Sequence, residues 1–259
     1  MDILSFIQGN YLFCVITGIV SLYLKGFEVY PFGITIICLT SGIFFFLVFI
    51  AIARSSIISG VGATGAASKL SFIIPVVSSA FILNIEVQGL FWLLIPLSVL
   101  AILYISPKTD IQNKSKNLGL LFFIWLGSGL IDLYLGILGK ELDKQGLGQD
   151  LSLILIFAGA GLASLVNSIL IRSKNSQNLR SILWGIPLGL INYYSIYFVI
   201  AGLREGNPPN HLFYLIYNIA VVVLSFISGL ILFKEDSNKK RYFGLILAVV
   251  TLAIASLIA

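Results

Sequence analysis

Residues 62–86 read GATGAASKLSFIIPVVSSAFILNIE, a run apolar enough to enter a bilayer that nevertheless carries Lys69 inside it. Lys69 lies about two helical turns from the glycine-rich start at Gly60, which places it roughly 12 Å into the hydrocarbon. An ammonium near the bilayer centre costs at least about 2.5 to 3.5 kcal/mol on insertion scales. Such residues therefore face a bundle interior or an aqueous cavity and mark a pathway. The remainder of the chain has to build that cavity.

Of the 259 residues, 58% are hydrophobic and 10% charged, and the mean hydropathy is +1.03. Soluble domains carry about 25% charged residues, so this chain cannot cover a water-facing surface and reads as an integral membrane protein. Sixteen Lys plus Arg stand against eleven acids. The basic residues lie in short loops between apolar spans, which is a topology signal and not a nucleic-acid face. Cys14 and Cys38 sit in apolar spans without disulfide or metal spacing, and His211 is the only histidine. Redox, zinc and His-based catalysis thus lack a constellation, and no cofactor is expected. The N-terminus has no basic region of the kind that begins a cleavable signal peptide.

Runs of roughly 17 to 25 apolar residues fall at 3–24, 31–54, 61–85, 88–107, 117–139, 150–171, 181–203, 211–233 and 242–259, predicting an all-α bundle of about nine transmembrane helices. Pro31, Ser106-Pro107, Gly146 with Gly148, and Gly206-Asn207-Pro208-Pro209 punctuate them. The even loops hold eleven basic residues: Arg54; Lys108, Lys114 and Lys116; Arg172, Lys174 and Arg180; Lys234, Lys239, Lys240 and Arg241. The odd loops hold four, Lys25, Lys140, Lys144 and Arg204. The positive-inside rule then puts the even loops and the N-terminus in the cytoplasm and the C-terminus outside. Residues 42–60 resemble 189–207, and 71–86 resemble 217–235, each of the latter closing an apolar run on a glutamate. This order predicts a four-plus-five inverted repeat: a first repeat at 1–107, a cytoplasmic linker at 108–116 and a second repeat at 117–259. Inverted-repeat carriers place their site at the repeat interface near the midplane.

The segments ASKLSFIIPV, GSGLID, GIPLGLINYYSIYF and YNIAVVVLSFISGLILFKE, with the ending GLILAVVTLAI, resemble the EamA-type branch of the drug/metabolite transporter (DMT) superfamily. The resemblance runs in order over nearly the whole chain, through helix-packing patterns and not catalytic signatures. It implies ten helices in two inverted five-helix repeats, a central substrate cavity and alternating access. NYLFCVITGIVSLYL looks like that family's second helix, so the first is expected to be missing.

The candidate substrate-binding residues are Lys69, Ser71, Asp132, Asn192, Tyr193, Tyr197, Tyr217 and Asn218. Lys69 reads as a counter-charge for an anionic group or an internal carboxylate, against snorkelling to the cytoplasmic interface. Thr64, Ser68, Ser71 and Pro75 share its face at three- and four-residue steps. Asp132 reads as an acceptor of a coupling proton or as a structural carboxylate held by Ser or Tyr hydroxyls. In straight helices it differs in depth from Lys69 by roughly 10 Å, too far for contact without a bridging water or solute. Asn192, Tyr193, Tyr194 and Tyr197, with Tyr217 and Asn218, form polar aromatic patches that serve either as helix glue or as a pocket lining. Asn167 reads as glue, Pro187 as a kink, Glu86 and Glu235 as loop anchors, and Gly127 and Gly129, with Gly159 and Gly161, as packing sites.

These residues favour a secondary transporter of a small metabolite or amphipathic solute at the cell membrane. Its expected partners are that solute, the bilayer and a coupling proton, with no nucleic acid; the sequence says nothing of oligomeric state. A membrane-embedded enzyme acting on lipids would want paired carboxylates or histidines near one interface. A non-transporting membrane scaffold is the third reading.

Overall fold

The computed structural model describes residues 3–26, 28–75, 78, 93–105, 111–171, 179–205, 210–236 and 238–258. These residues form nine helices: α1 (Ile3–Lys25), α2 (Phe32–Ile58), α3 (Val61–Leu70), α4 (Leu94–Ile105), α5 (Ile111–Gln145), α6 (Asp150–Ile171), α7 (Leu179–Glu205), α8 (Asn210–Ile231) and α9 (Lys239–Ile258). No strand occurs among the described residues. Helix ends fall where the breakers stand. Gly26 closes α1 with φ +105°, and Gly146 closes α5 with φ +64° while Leu147 N–H reaches Leu142 O at 2.9 Å.

Five helices among the described residues are long and apolar enough to cross a bilayer: Ile3–Lys25, Phe32–Ile58, Asn117–Gln145, Asp150–Leu170 and Leu179–Gly202. Leu94–Ile105 and Ile216–Ile231 are shorter apolar helices. Large apolar side chains stand exposed along the long helices, among them Leu12, Ile19, Ile37, Leu162 and Ile191. So much exposed hydrocarbon suits acyl chains and not water. The chain is a multi-pass membrane protein.

Two expectations change. The span foreseen at 61–85 is not continuous: a turn at Ser71–Phe72 follows α3, and helix resumes at Ile73. The stretch foreseen as a linker at 108–116 is helical from Ile111 onward. Glu86 lies outside the described residues.

The helices group into two compact units, Met1–Ile50 with Leu135–Glu205 and Ala51–Tyr134 with Gly206–Ala259. These packing groups interleave along the chain, and α2 and α5 contribute residues to both. In the first unit α1 packs on α6 and α7. Gln8 bonds Ser168 at 2.6 Å and Ser21 bonds Asp150 at 2.6 Å, so α1 and α6 run antiparallel. Gly9 and Gly185 let α1 and α7 meet backbone to backbone, because a Cβ on Gly9 would stand 2.1 Å from Ile182 O and one on Gly185 2.5 Å from Phe6 O. Close approach of this kind replaces the hydrophobic drive that lipid does not supply.

In the second unit α3 pairs with α8 and α9 with α4. Ala63, Ala66, Ala67 and Leu70 of α3 are fully buried, together with Phe226 of α8 and Ile105 of α4. Gly62 faces Phe226, Gly65 faces Ser225, and Lys69 faces Tyr217, so the two helices run antiparallel.

Candidate functional site

Pro75 accounts for the interruption after α3. Its ring offers no N–H to the Ser71 carbonyl four residues back and collides with that carbonyl in a regular helix. The chain responds with tighter bonds, Phe72 N–H to Lys69 O at 3.4 Å and Ile74 N–H to Ser71 O at 2.9 Å. Other groups take up the loosened carbonyls: the Ser71 hydroxyl donates to Ser68 O, and Trp125 Nε1–H donates to Leu70 O at 3.2 Å. Gly129 of α5 lies against the same turn, where a Cβ would come within 2.7 Å of Ser71 O.

Lys69 precedes this turn by two residues. Its Nζ donates to the Tyr217 hydroxyl at 2.9 Å and lies 4.3 Å from the centroid of that ring. Asp132 is within electrostatic reach of the ammonium but makes no ion-pair contact with it. Asp132 Oδ2 is buried and has no hydrogen-bond partner among the described residues. Asn218, beside Tyr217 and fully buried, has neither Oδ1 nor Nδ2 bonded among them. Lys69 and Asp132 are only half-buried. The second unit thus holds an ammonium bonded to Tyr217, a carboxylate oxygen within its electrostatic reach and a buried amide, on helices that pack around a broken one. Such groups suit a polar solute with matching donors and acceptors.

Asn192, Tyr193 and Tyr197 belong to the first unit, where they join a different cluster. Asp150 at the start of α6 accepts from Ser21 at 2.6 Å, from Tyr193 at 2.9 Å and from Lys25 at 2.9 Å. Lys25 also donates to the Tyr197 hydroxyl at 2.8 Å and lies 4.5 Å from its ring centroid. Asn192 Nδ2 bonds Asn10 Oδ1 at 3.3 Å, tying α7 to α1. Arg204 pairs with Asp143 at 2.5 Å and reaches Leu147 O at 3.1 Å. In the loop between α1 and α2, Tyr30 donates to Gly148 O and accepts from Ser152 N–H at 3.3 Å. Burial pushes its hydroxyl up to about 12, so it remains a donor at physiological pH. In the sequence Lys25 and Arg204 read as loop charges, and nothing local singles out Asp150. The one local signal was the four-residue step between Tyr193 and Tyr197.

Glu235 anchors the other end of α3. Its Oε1 accepts Val61 N–H at 2.5 Å and its Oε2 pairs with Arg241 Nη2 at 2.5 Å. Arg241, 2% exposed, also donates to Ile105 O at 2.9 Å and to Asp236 O. A groove of about 470 Å³ in the first unit, lined by Leu39, Ile43, Phe46, Leu162, Val166 and Asn167, is apolar and fits an acyl chain better than a polar solute.

No family model matches the chain. It is similar to an uncharacterized protein of Haemophilus influenzae, with 27% identity over 208 residues that cover 78% of this chain and 68% of that one.

Proposed function

We propose that this chain is a secondary solute carrier of the EamA type, working by alternating access, with Lys69, Tyr217, Asp132 and Asn218 as its solute-contacting group. The observation that carries the reading is the interrupted helix at Ser71–Phe72 beside a lysine that has no carboxylate in contact among the described residues. Carriers build midplane sites from broken helices and intramembrane charges, because loosened backbone is tolerated only where protein or water satisfies it. Asp132 is the candidate for a coupling proton, since its Oδ2 has no donor among the described residues.

Counter-flow in proteoliposomes tests the proposal with a labelled panel of small organic acids, amines and polyols. Wild-type protein exchanges at least one class saturably, and Lys69→Met lowers that exchange about tenfold or more while the protein stays folded. Equal exchange by Lys69→Met would remove Lys69 from the path, and absence of exchange across the panel would count against the carrier. A lipid-acting enzyme would instead consume its substrate without exchange.

A further inference from the structure

The segment between α8 and α9 together with the first turn of α9 carries four basic residues, Lys234, Lys239, Lys240 and Arg241. Arg241 turns inward to Glu235, Asp236 O and Ile105 O, and is unavailable outside. The three lysines are exposed and make no hydrogen bond or ion pair with any described residue. Asp236 is the single exposed acid among them. Exposed apolar residues flank the lysines on both sides: Leu232 and Phe233, at 72% and 63%, and Tyr242 and Phe243, at 46% and 53%. Aromatic residues beside a membrane helix end settle at headgroup level. Lys234 also holds φ +51°, a left-handed conformation that favours glycine. That turn brings Glu235 N–H to Gly229 O at 3.0 Å and sends the Glu235 carboxylate inward. Glycine would make the turn with less strain, so the backbone alone does not ask for a lysine.

We propose that this junction, the α8–α9 segment with the first turn of α9, is a docking surface for anionic phospholipid headgroups, held by Lys234, Lys239 and Lys240 while Phe233, Tyr242 and Phe243 lie in the interface. The surface is independent of the carrier reading. Each lysine near an anionic surface contributes about fivefold in affinity.

The test titrates the detergent-purified full chain with phosphatidylglycerol, phosphatidylcholine or soluble glycerol phosphate and follows thermal unfolding and lipid retention by native mass spectrometry. Phosphatidylglycerol is expected to bind preferentially. The triple variant Lys234→Gly, Lys239→Gln, Lys240→Gln should weaken that binding about tenfold or more and keep its lipid-free unfolding temperature, since glycine preserves the turn. Equal binding of phosphatidylcholine, undiminished binding by the triple variant, or glycerol phosphate matching the lipid would each overturn the proposal. If the triple variant unfolds early, Lys239→Gln with Lys240→Gln alone must still weaken binding severalfold, and failure to do so overturns it equally.

Discussion

Lys25 and Lys69 meet their tyrosines in the same way, with Nζ bonded to the hydroxyl and lying over the ring, at 2.8 and 4.5 Å for Tyr197 and at 2.9 and 4.3 Å for Tyr217. They differ in their carboxylates. Asp150 is in contact with Lys25 at 2.9 Å, whereas Asp132 interacts with Lys69 only through space. A half-buried carboxylate whose Oδ2 is shielded is left less compensated when it loses its cation, and removing both charges relieves it. Lys69→Met should therefore unfold at a lower temperature than the Lys69→Met, Asp132→Asn double variant, measured by thermal scans in one detergent. If the double variant lies below Lys69→Met by the effect that Asp132→Asn has alone, the charges do not interact. The Glu235–Arg241 pair gives a larger effect because Arg241 is buried at 2% and Glu235 also holds Val61 N–H. Glu235→Gln should cost about 3 kcal/mol, the usual range when one member of a buried pair is removed. A loss under about 1 kcal/mol would show that the carbonyls of Ile105 and Asp236 suffice for Arg241.

The helices most legible in the sequence are those with uninterrupted apolar runs and a breaker at each end. α6, foreseen at 150–171, is found at Asp150–Ile171. α3 was less legible because proline is tolerated inside membrane helices, so Pro75 alone does not announce a break. The break also depends on Trp125 and Gly129, which lie more than fifty residues away and receive Leu70 O and the Ser71 turn. The site was legible to the same degree. Lys69, Asp132 and Tyr217 stood out as polar groups in apolar runs, but the Lys25–Asp150 pair spans 125 residues and has no local pattern. Gly129→Ala tests the element. Its Cβ would stand 2.5 Å from an Ile74 side-chain atom and 2.7 Å from Ser71 O, and the backbone side of that clash cannot rotate away. We expect a loss of about 1 to 3 kcal/mol in stability and faster amide exchange at residues 71–74. Unchanged exchange there would mean that the turn does not lean on α5.

At the scale of the molecule, the loop charges carry an expectation of how the chain sits in a membrane. Eleven basic residues in the even loops against four in the odd ones predict, by the positive-inside rule, that the residues around the α8–α9 junction lie in the cytoplasm and the turn between α5 and α6 outside. The structure supplies a clean way to test this, because Cys14 and Cys38 are buried at 0% exposure and should be silent to a membrane-impermeant maleimide. Lys144, whose side chain is 74% exposed at the end of α5, and Lys240, exposed at the start of α9, are sites where a new thiol would be reached. Intact cells carrying Lys144→Cys should label at once, and cells carrying Lys240→Cys should label only after permeabilisation. The reverse pattern would turn the molecule over and move Lys234, Lys239 and Lys240 at the α8–α9 junction to the outer leaflet.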